Sequence, residues 1–269
     1  MRALSWNLFH GRDRPPDPAL FTWRSRLFRV TESNETHVQV NRELRDEFAA
    51  ILGGPPWDVA LLQECPPRWL GYLERACEAD SHAVLTSRNW LGPLTGRLAR
   101  LNPDLIASWE GGSNAILVRG RLGPIVERRE LTLRRLPEHR RLAFVRLAAG
   151  PCVANLHASE RRALAEEDVR AAAHEALEWA GGAPLLFGGD LNLRPSSSDA
   201  FERLATDHEL RAPTAPEAID HLLVRGLEVA AAPSAWPPEA RELARDGLAL
   251  RLSDHAPVEG AFGSPRAGR

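Results

Sequence analysis

The chain has 269 residues, 43% of them hydrophobic and 26% charged, with a formal net charge of −2. This length suits one large α/β domain, and the composition excludes a wholly disordered chain. The slight acidity excludes the overall basic excess of proteins that bind long nucleic acid non-specifically, so any such surface has to be a local patch.

In chain order, a strand is predicted over residues 2–8, starting so near Met1 that a signal peptide has no room ahead of it. No apolar run reaches membrane-spanning length. Residues 9–37 show no periodicity and are expected to be irregular. A helix is predicted over 41–52, with Leu44, Phe48, Ile51 and Leu52 on one stripe, and a second over 68–79 after Pro66-Pro67. A short apolar strand at 59–63 lies between them. Residues 86–112 form a second long irregular segment, of a length that is often functional. Strands follow at 114–118, 125–133, 142–147 and 152–156, then a long Ala-rich helix at 160–180 and strands at 184–187, 221–224 and 258–262. Residues 1–262 are taken as one domain and 263–269 as a flexible tail.

Many short strands and few long helices, without a regular βαβ repeat, point to an α+β or mixed-sheet sandwich: two packed sheets flanked by helices. All 34 basic residues are arginine, which reads as compositional bias. Cys65, Cys77 and Cys152 lack the spacing of a disulfide framework or zinc site, so a reducing, cytoplasmic setting is expected. A buried inert thiol is the expected state of Cys65.

Polar residues recur where apolar runs end. Ala-Leu-Ser-Trp leads to Asn7, Val-Ala-Leu-Leu-Gln to Glu64, Val-Ala-Asn-Leu to His157 and Leu-Leu-Phe-Gly-Gly to Asp190. Each alone has an ordinary reading as a solvated terminus or a turn. Together they supply hard oxygen ligands for a divalent cation, a base for water and donors for developing charge, which phosphodiester hydrolysis needs. Asp190 and Asn192 are two apart, so an extended stretch would point both to one face. Gly188-Gly189 ahead of them permits close backbone approach.

Six motifs in order, Ser-Trp-Asn7, Leu-Leu-Gln-Glu64, Asn-Leu-His157, Gly-Gly-Asp190-Leu-Asn192, Ile-Asp220-His and Ser-Asp254-His255-Ala-Pro-Val, resemble the endonuclease/exonuclease/phosphatase superfamily. The resemblance implies a four-layered α/β sandwich and hydrolysis of phosphoesters with Mg²⁺ or Mn²⁺. It implies Glu64 as principal metal ligand, with Asn7 beside it and Asp254 in support. It further implies His255 as a catalytic imidazole paired with Asp220, Asp190 on the attacking water and Asn192 on the phosphate. His157 resembles the second imidazole of pancreatic-type deoxyribonucleases, and Arg140 or Arg141 their supporting arginine. Phe9 stands where the apurinic-site endonuclease branch has an acidic residue, which disfavours that branch. Tyr72, on a predicted helix, offers no counterpart to the active-site tyrosine of many family nucleases.

The expected substrate is a phosphodiester in nucleic acid or a nucleotide, with Arg24 and Arg26 among arginines and aromatics interleaved in the long segments. The alternatives are a phospholipid or inositol-phosphate hydrolase of the same superfamily and an inactive binding domain. A lipid hydrolase would want an exposed apolar loop, which neither segment is expected to offer. An inactive domain would lose Glu64, Asp190 or His255 first, and all three are present. No protein partner can be read from the chain. His10, His37 and His139 are expected at the surface, and the tryptophans in the core.

Overall fold

The structure is a computed structural model that describes residues 1–86, 92–148 and 151–263. The expected tail therefore falls almost wholly outside the described residues, as do Arg88 and Trp90.

In chain order the elements are β1 (Arg2–Asn7), α1 (Trp23–Phe28), β2 (Glu32–Ser33), β3 (Val38–Gln39), α2 (Arg45–Gly53), β4 (Val59–Cys65), α3 (Leu70–Cys77) and β5 (Ala79–Leu85). Then come α4 (Gly92–Leu101), α5 (Pro103–Glu110), β6 (Ser113–Arg119), β7 (Ile125–Arg134), β8 (Arg140–Leu147), β9 (Cys152–His157) and α6 (Arg162–Ala180). The chain continues through β10 (Leu185–Asp190), α7 (Ala200–His208), β11 (Asp220–Arg225), β12 (Glu228–Ala235), β13 (Glu242–Arg245), β14 (Leu248–Arg251) and β15 (Val258–Gly263).

Two mixed sheets carry the fold. One runs β12-β15-β1-β4-β6-β5 and the other β11-β10-β9-β8-β7. Among the described strands, only β1–β4 and β9–β10 pair in parallel. Between the sheets lies an apolar layer of Ala3, Leu61, Ile116, Val145, Val153, Leu186 and Leu222. A second layer joins the first sheet to α2 and α3 through Phe48, Leu52, Leu62 and Leu73, and a third joins the second sheet to α6 and α7 through Phe144, Phe187 and Leu204. Helix, sheet, sheet and helix give the expected four layers. Strands buried on both faces read as continuous apolar runs, which is why β4, β9 and β10 stand out in the sequence. In α6 the inward stripe is small: Ala165, Val169, Ala172, Ala173, Ala176 and Ala180. Residues spaced three and four apart share a helix face, and short side chains let it lie close on the sheet.

Both segments expected to be irregular contain helices. Thr22 caps α1 by accepting from the Ser25 N–H, and Asn102 caps α5 by accepting from the Leu105 N–H, with Pro103 in its first turn. The predicted helix at 68–79 stops earlier: Glu78 turns left-handed and the chain enters β5. Among the described residues no helix is long and apolar enough to cross a membrane.

Candidate active site

The two parallel pairs set the site. β1 and β4 run together, with Asn7 level with Gln63, so Asn7 and Glu64 end at one edge of the first sheet. In the second sheet His157 is in register with Asp190, and antiparallel β11 places Asp220 opposite Asp190 on its other side. His157, Asp190 and Asp220 thus stand abreast. The sheets are joined at this end by polar contacts: Asn7 Nδ2 donates to Asp190 Oδ2 at 2.9 Å, Gln63 Nε2 donates to Asn155 Oδ1 at 2.7 Å, and Asn155 Nδ2 donates to the carbonyls of Leu62 and Ala115. Gly189 lets β10 lie close on β9 beneath the Asn155 side chain that makes this bridge, since a Cβ there would stand 2.8 Å from Asn155 Oδ1. It has φ +126°, and a Cβ there would sit 2.0 Å from the Leu156 carbonyl oxygen. Opposite β6, β4 carries a bulge between Leu62 and Cys65, and Glu64 within it has φ +48°. Such bulges re-aim a side chain out of the ladder.

His255 comes from the loop between β14 and β15. Its Nδ1 lies 2.7 Å from Asp220 Oδ2, and its Nε2 is 3.9 Å from both Asp190 Oδ2 and Asp254 Oδ1. His157 Nε2 is 3.4 Å from the same Asp190 oxygen. Two imidazoles therefore flank one carboxylate. The His255 loop is fixed from three sides: Ser253 Oγ donates to the Asn7 carbonyl, Trp6 Nε1 donates to the His255 carbonyl, and buried Arg241 donates to the carbonyls of Leu252, Ser253 and His255.

The charges in this cluster push its groups apart. Burial lowers the His255 pKa, but the Asp220 carboxylate outweighs it through charge and hydrogen bond, with Asp190 and Asp254 adding, and the ring rises to about 10. Burial pushes Asp190 up, and Asp220 pushes it further, against His255 and the Asn7 hydrogen bond. His157 falls to about 3 through burial and the nearby Arg140 charge. Burial also raises Glu64, but His10, His157, Arg12 and His255 more than offset this and hold it below the usual range. The result is a charged imidazole, a neutral imidazole, a carboxyl that retains its proton readily and a carboxylate that does not.

All eight core residues expected from the motifs converge here, with differences in detail. Asn192 does not continue an extended strand: it has φ +52°, its N–H donates to Asp190 Oδ1, and its Nδ2 donates to the Ala158 carbonyl. Asp-Leu-Asn thus forms a turn, and the Asn192 amide expected on the phosphate is spent on the Ala158 carbonyl. Asn7 Oδ1 accepts from the Phe9 N–H while its Nδ2 holds Asp190. Of the two candidate arginines, Arg140 is buried beside His157, whereas Arg141 reaches Glu130 and the Leu85 carbonyl. Arg24 and Arg26 are exposed on α1, and the Arg26 charge is felt by Arg12, whose own charge acts on Glu64. Cys65 is buried and its thiol is pushed up to about 12 by that burial, as expected of an inert thiol. Tyr72 lies on α3 under the Arg45 guanidinium.

Three expectations are corrected. His10 is no surface residue: its Nε2 is 3.2 Å from Glu64 Oε2. His37 likewise pairs with Glu242, at 3.2 Å. And α1 does expose apolar surface, with Trp23 68%, Leu27 54% and Phe28 62% accessible, because a helix this short buries only Ser25. Arg241 escaped the sequence reading, since nothing in its local pattern signals that it clamps a distant loop, and Ser253 entered it only as the first residue of the Ser-Asp254-His255 motif, without a role.

Two groups of ligand atoms can be weighed for a cation. Asp190, Asp220 and His255 offer atoms within 4.8 Å of one another. There, however, the 2.7 Å Asp220–His255 contact is that of a carboxylate with an imidazolium, whose proton an ion would have to displace. Glu64 is charged, and its carboxylate and that of Asp254 both act on His10, a grouping that fits a hard cation better. A cavity of about 390 Å³ between α6 and α7 contains none of these residues.

A family model described as the endonuclease/exonuclease/phosphatase family matches residues 4–255. No curated protein matches. Similar solved structures include an endonuclease/exonuclease/phosphatase family protein from Bacteroides thetaiotaomicron, 17% identical with a TM-score of 0.64, covering 97% of this chain and 94% of that one. A mannosyl-6-phosphatase from the same organism is 16% identical with a TM-score of 0.62, covering 97% and 99%. A truncated TDP2 from Caenorhabditis elegans is 15% identical with a TM-score of 0.57, covering 98% and 97%. These likenesses establish the fold, and the family match over nearly the whole chain, on a site with its motif residues gathered, places the protein in the endonuclease/exonuclease/phosphatase family of phosphoester hydrolases.

Proposed function

We propose that this protein is a divalent-metal-dependent phosphodiesterase acting on nucleic acid or nucleotides. The observation that carries the reading is the pair of imidazoles, His157 and His255, placed 3.4 and 3.9 Å from one oxygen of Asp190. Donors on two sides of a carboxylate suit a phosphate whose water is activated between them. Mg²⁺ or Mn²⁺, held by Glu64 with Asp254 and Asn7 nearby, would neutralise phosphate charge.

Asp190, with its raised proton affinity, takes a proton from water as the water oxygen bonds to phosphorus. The Asn7 N–H keeps the carboxylate aimed. His255, held charged by Asp220, donates toward the ester oxygen that leaves as its bond to phosphorus breaks. His157, neutral, and Arg140 behind it offer hydrogen bond and charge to the remaining phosphate oxygens. Asn192 holds the loop and orients Asp190.

A second reading has its own observation. The exposed Trp23, Leu27 and Phe28 on α1, with Leu101 on α4 59% accessible, suit the interface of a lipid phosphodiester. Purified protein assayed with Mg²⁺, Mn²⁺ or EDTA separates these. Metal-dependent cleavage of plasmid, single-stranded DNA, RNA or dinucleotides is expected, with Asp190→Asn and His255→Ala each lowering kcat about 10²–10⁴-fold. Cleavage of sphingomyelin alone would favour the lipid reading, and release of phosphate only from monoesters such as mannose 6-phosphate would reject both. Undiminished activity in EDTA would remove the metal.

A further inference from the structure

Leaving β1, the backbone passes through three consecutive left-handed residues, Phe9 (φ 50°), His10 (φ 53°) and Gly11 (φ 77°). For residues with a Cβ this is unfavourable, and such strain persists only where surrounding structure imposes it. Here it is imposed. A Cβ on Gly11 would lie 2.2 Å from the Trp69 ring, Trp69 is itself tied to Glu43 through its indole N–H, and the Arg12 guanidinium covers Phe9 at 3.8 Å. Across the gap Gly112 leaves room: a Cβ there would stand 3.1 Å from Glu64 Cα and 3.5 Å from His10 Cε1.

The product of this turn is a single contact, His10 Nε2 to Glu64 Oε2 at 3.2 Å, between side chains 15% and 21% exposed. Glu64 is bent toward it by its own positive φ. Two ligand atoms bound side by side to one six-coordinate ion with bonds of about 2.1 Å stand about 3 Å apart. Asp254 and Arg12 are the other charges acting on the ring. Among the described residues His10 Nδ1 is buried without a hydrogen-bond partner, and Glu64 is the carboxylate that its Nε2 faces.

We propose that His10 is a direct nitrogen ligand of the divalent cation beside Glu64, and that it makes the site prefer Mn²⁺ to Mg²⁺. The proposal rests on the reading that Glu64 carries that cation. Carboxylates and carbonyls suit Mg²⁺, whereas an imidazole adds affinity for later first-row ions and little for Mg²⁺.

The test is pulsed EPR of the full-length, cation-stripped protein loaded with Mn²⁺, together with calorimetric titration of Mn²⁺ and Mg²⁺. A ¹⁴N coupling from a directly bound imidazole is expected, changing to ¹⁵N in protein labelled at histidine. It should vanish in His10→Gln, which should weaken Mn²⁺ binding about tenfold or more and leave Mg²⁺ within about threefold. Absence of nitrogen coupling in the wild type, a measurement that needs no variant to fold, would overturn the proposal, as would coupling that survives His10→Gln. Glu64→Gln keeps the two readings apart. If it weakens Mn²⁺ binding while no nitrogen is seen, Glu64 keeps the metal and His10 loses it; if it changes nothing, the metal assignment itself fails.

Discussion

Asp13 sits fully buried in the loop after β1, its Oδ2 accepting from the Val40 N–H at 3.0 Å and its Oδ1 without a partner among the described residues. Burial raises its pKa, Asp104 on α5 adds to the rise, and the Val40 hydrogen bond and Arg42 oppose it, leaving it at about 8 against 3.8 in the free side chain. The folded state therefore holds a proton that the unfolded chain has lost between those values. Stability must fall as pH rises through this window, with the full penalty present above about pH 8. Asp13→Asn keeps an oxygen acceptor for Val40 and removes the titration. Urea unfolding at pH 5.5 and 8.5 should show wild-type stability dropping more steeply than that of the variant, which keeps only the decline due to Asp190 and His255, so that the variant ends more stable at pH 8.5 by on the order of 1–3 kcal/mol. Equal declines in both proteins would mean that Asp13 ionises freely.

The element that fixes the site is the end of β10, and Gly189 is its tightest point. Gly189→Ala has to overcome both φ +126° and a 2.0 Å approach to the Leu156 carbonyl, so a loss of about 3 kcal/mol or more in thermal or urea unfolding is expected. A near-neutral variant would mean that β9 and β10 separate cheaply there. The Gly-Gly pair before Asp190 was legible in the sequence because glycine marks close approach, and Asn7, Glu64, His157 and Asp190 were legible because each closes an apolar run. Other elements carried weaker signals. β5 alternates irregularly between buried and exposed positions at a sheet edge, so no strand is predicted for it and only its first residue, Ala79, falls within the helix predicted over 68–79. β12 contains Pro233 and several alanines, poor strand formers tolerated at an edge, where it pairs only with β15. The caps of α1 and α5 were present as Thr22 and as Asn102-Pro103, but the short helices behind them bury too little to show a long apolar period. His10 left no periodic signal at all. Its contact with Glu64 arises from a left-handed turn packed against Trp69, a tertiary fact.

Across the whole molecule the net charge of −2 leaves binding of a polyanion to local surface. The rim offers such surface. Arg24 and Arg26 are exposed on α1, beside the accessible rings of Trp23 and Phe28, and the Arg26 charge acts on Arg12, whose charge in turn acts on Glu64 and Asp254. A nucleic-acid strand entering here would meet guanidinium groups first and aromatic faces next, a combination that binds phosphate and stacks bases without reading sequence. Each phosphate neutralised on a single strand contributes about 0.7 to the slope of log affinity against log salt. Replacing Arg24 and Arg26 together with alanine should therefore raise KM for single-stranded DNA or RNA and flatten that slope by up to about 1.4, two contacts' worth. Because neither arginine belongs to the catalytic cluster, kcat and the hydrolysis of a small generic phosphodiester should be unchanged. Trp23→Ala with Phe28→Ala discriminates the lipid reading: under the nucleic-acid reading it raises KM for strands and leaves vesicle binding negligible in both proteins. Strong wild-type adsorption to anionic vesicles that this pair abolishes, with an arginine pair that leaves the nucleic-acid salt slope intact, would transfer α1 from nucleic-acid binding to the lipid interface.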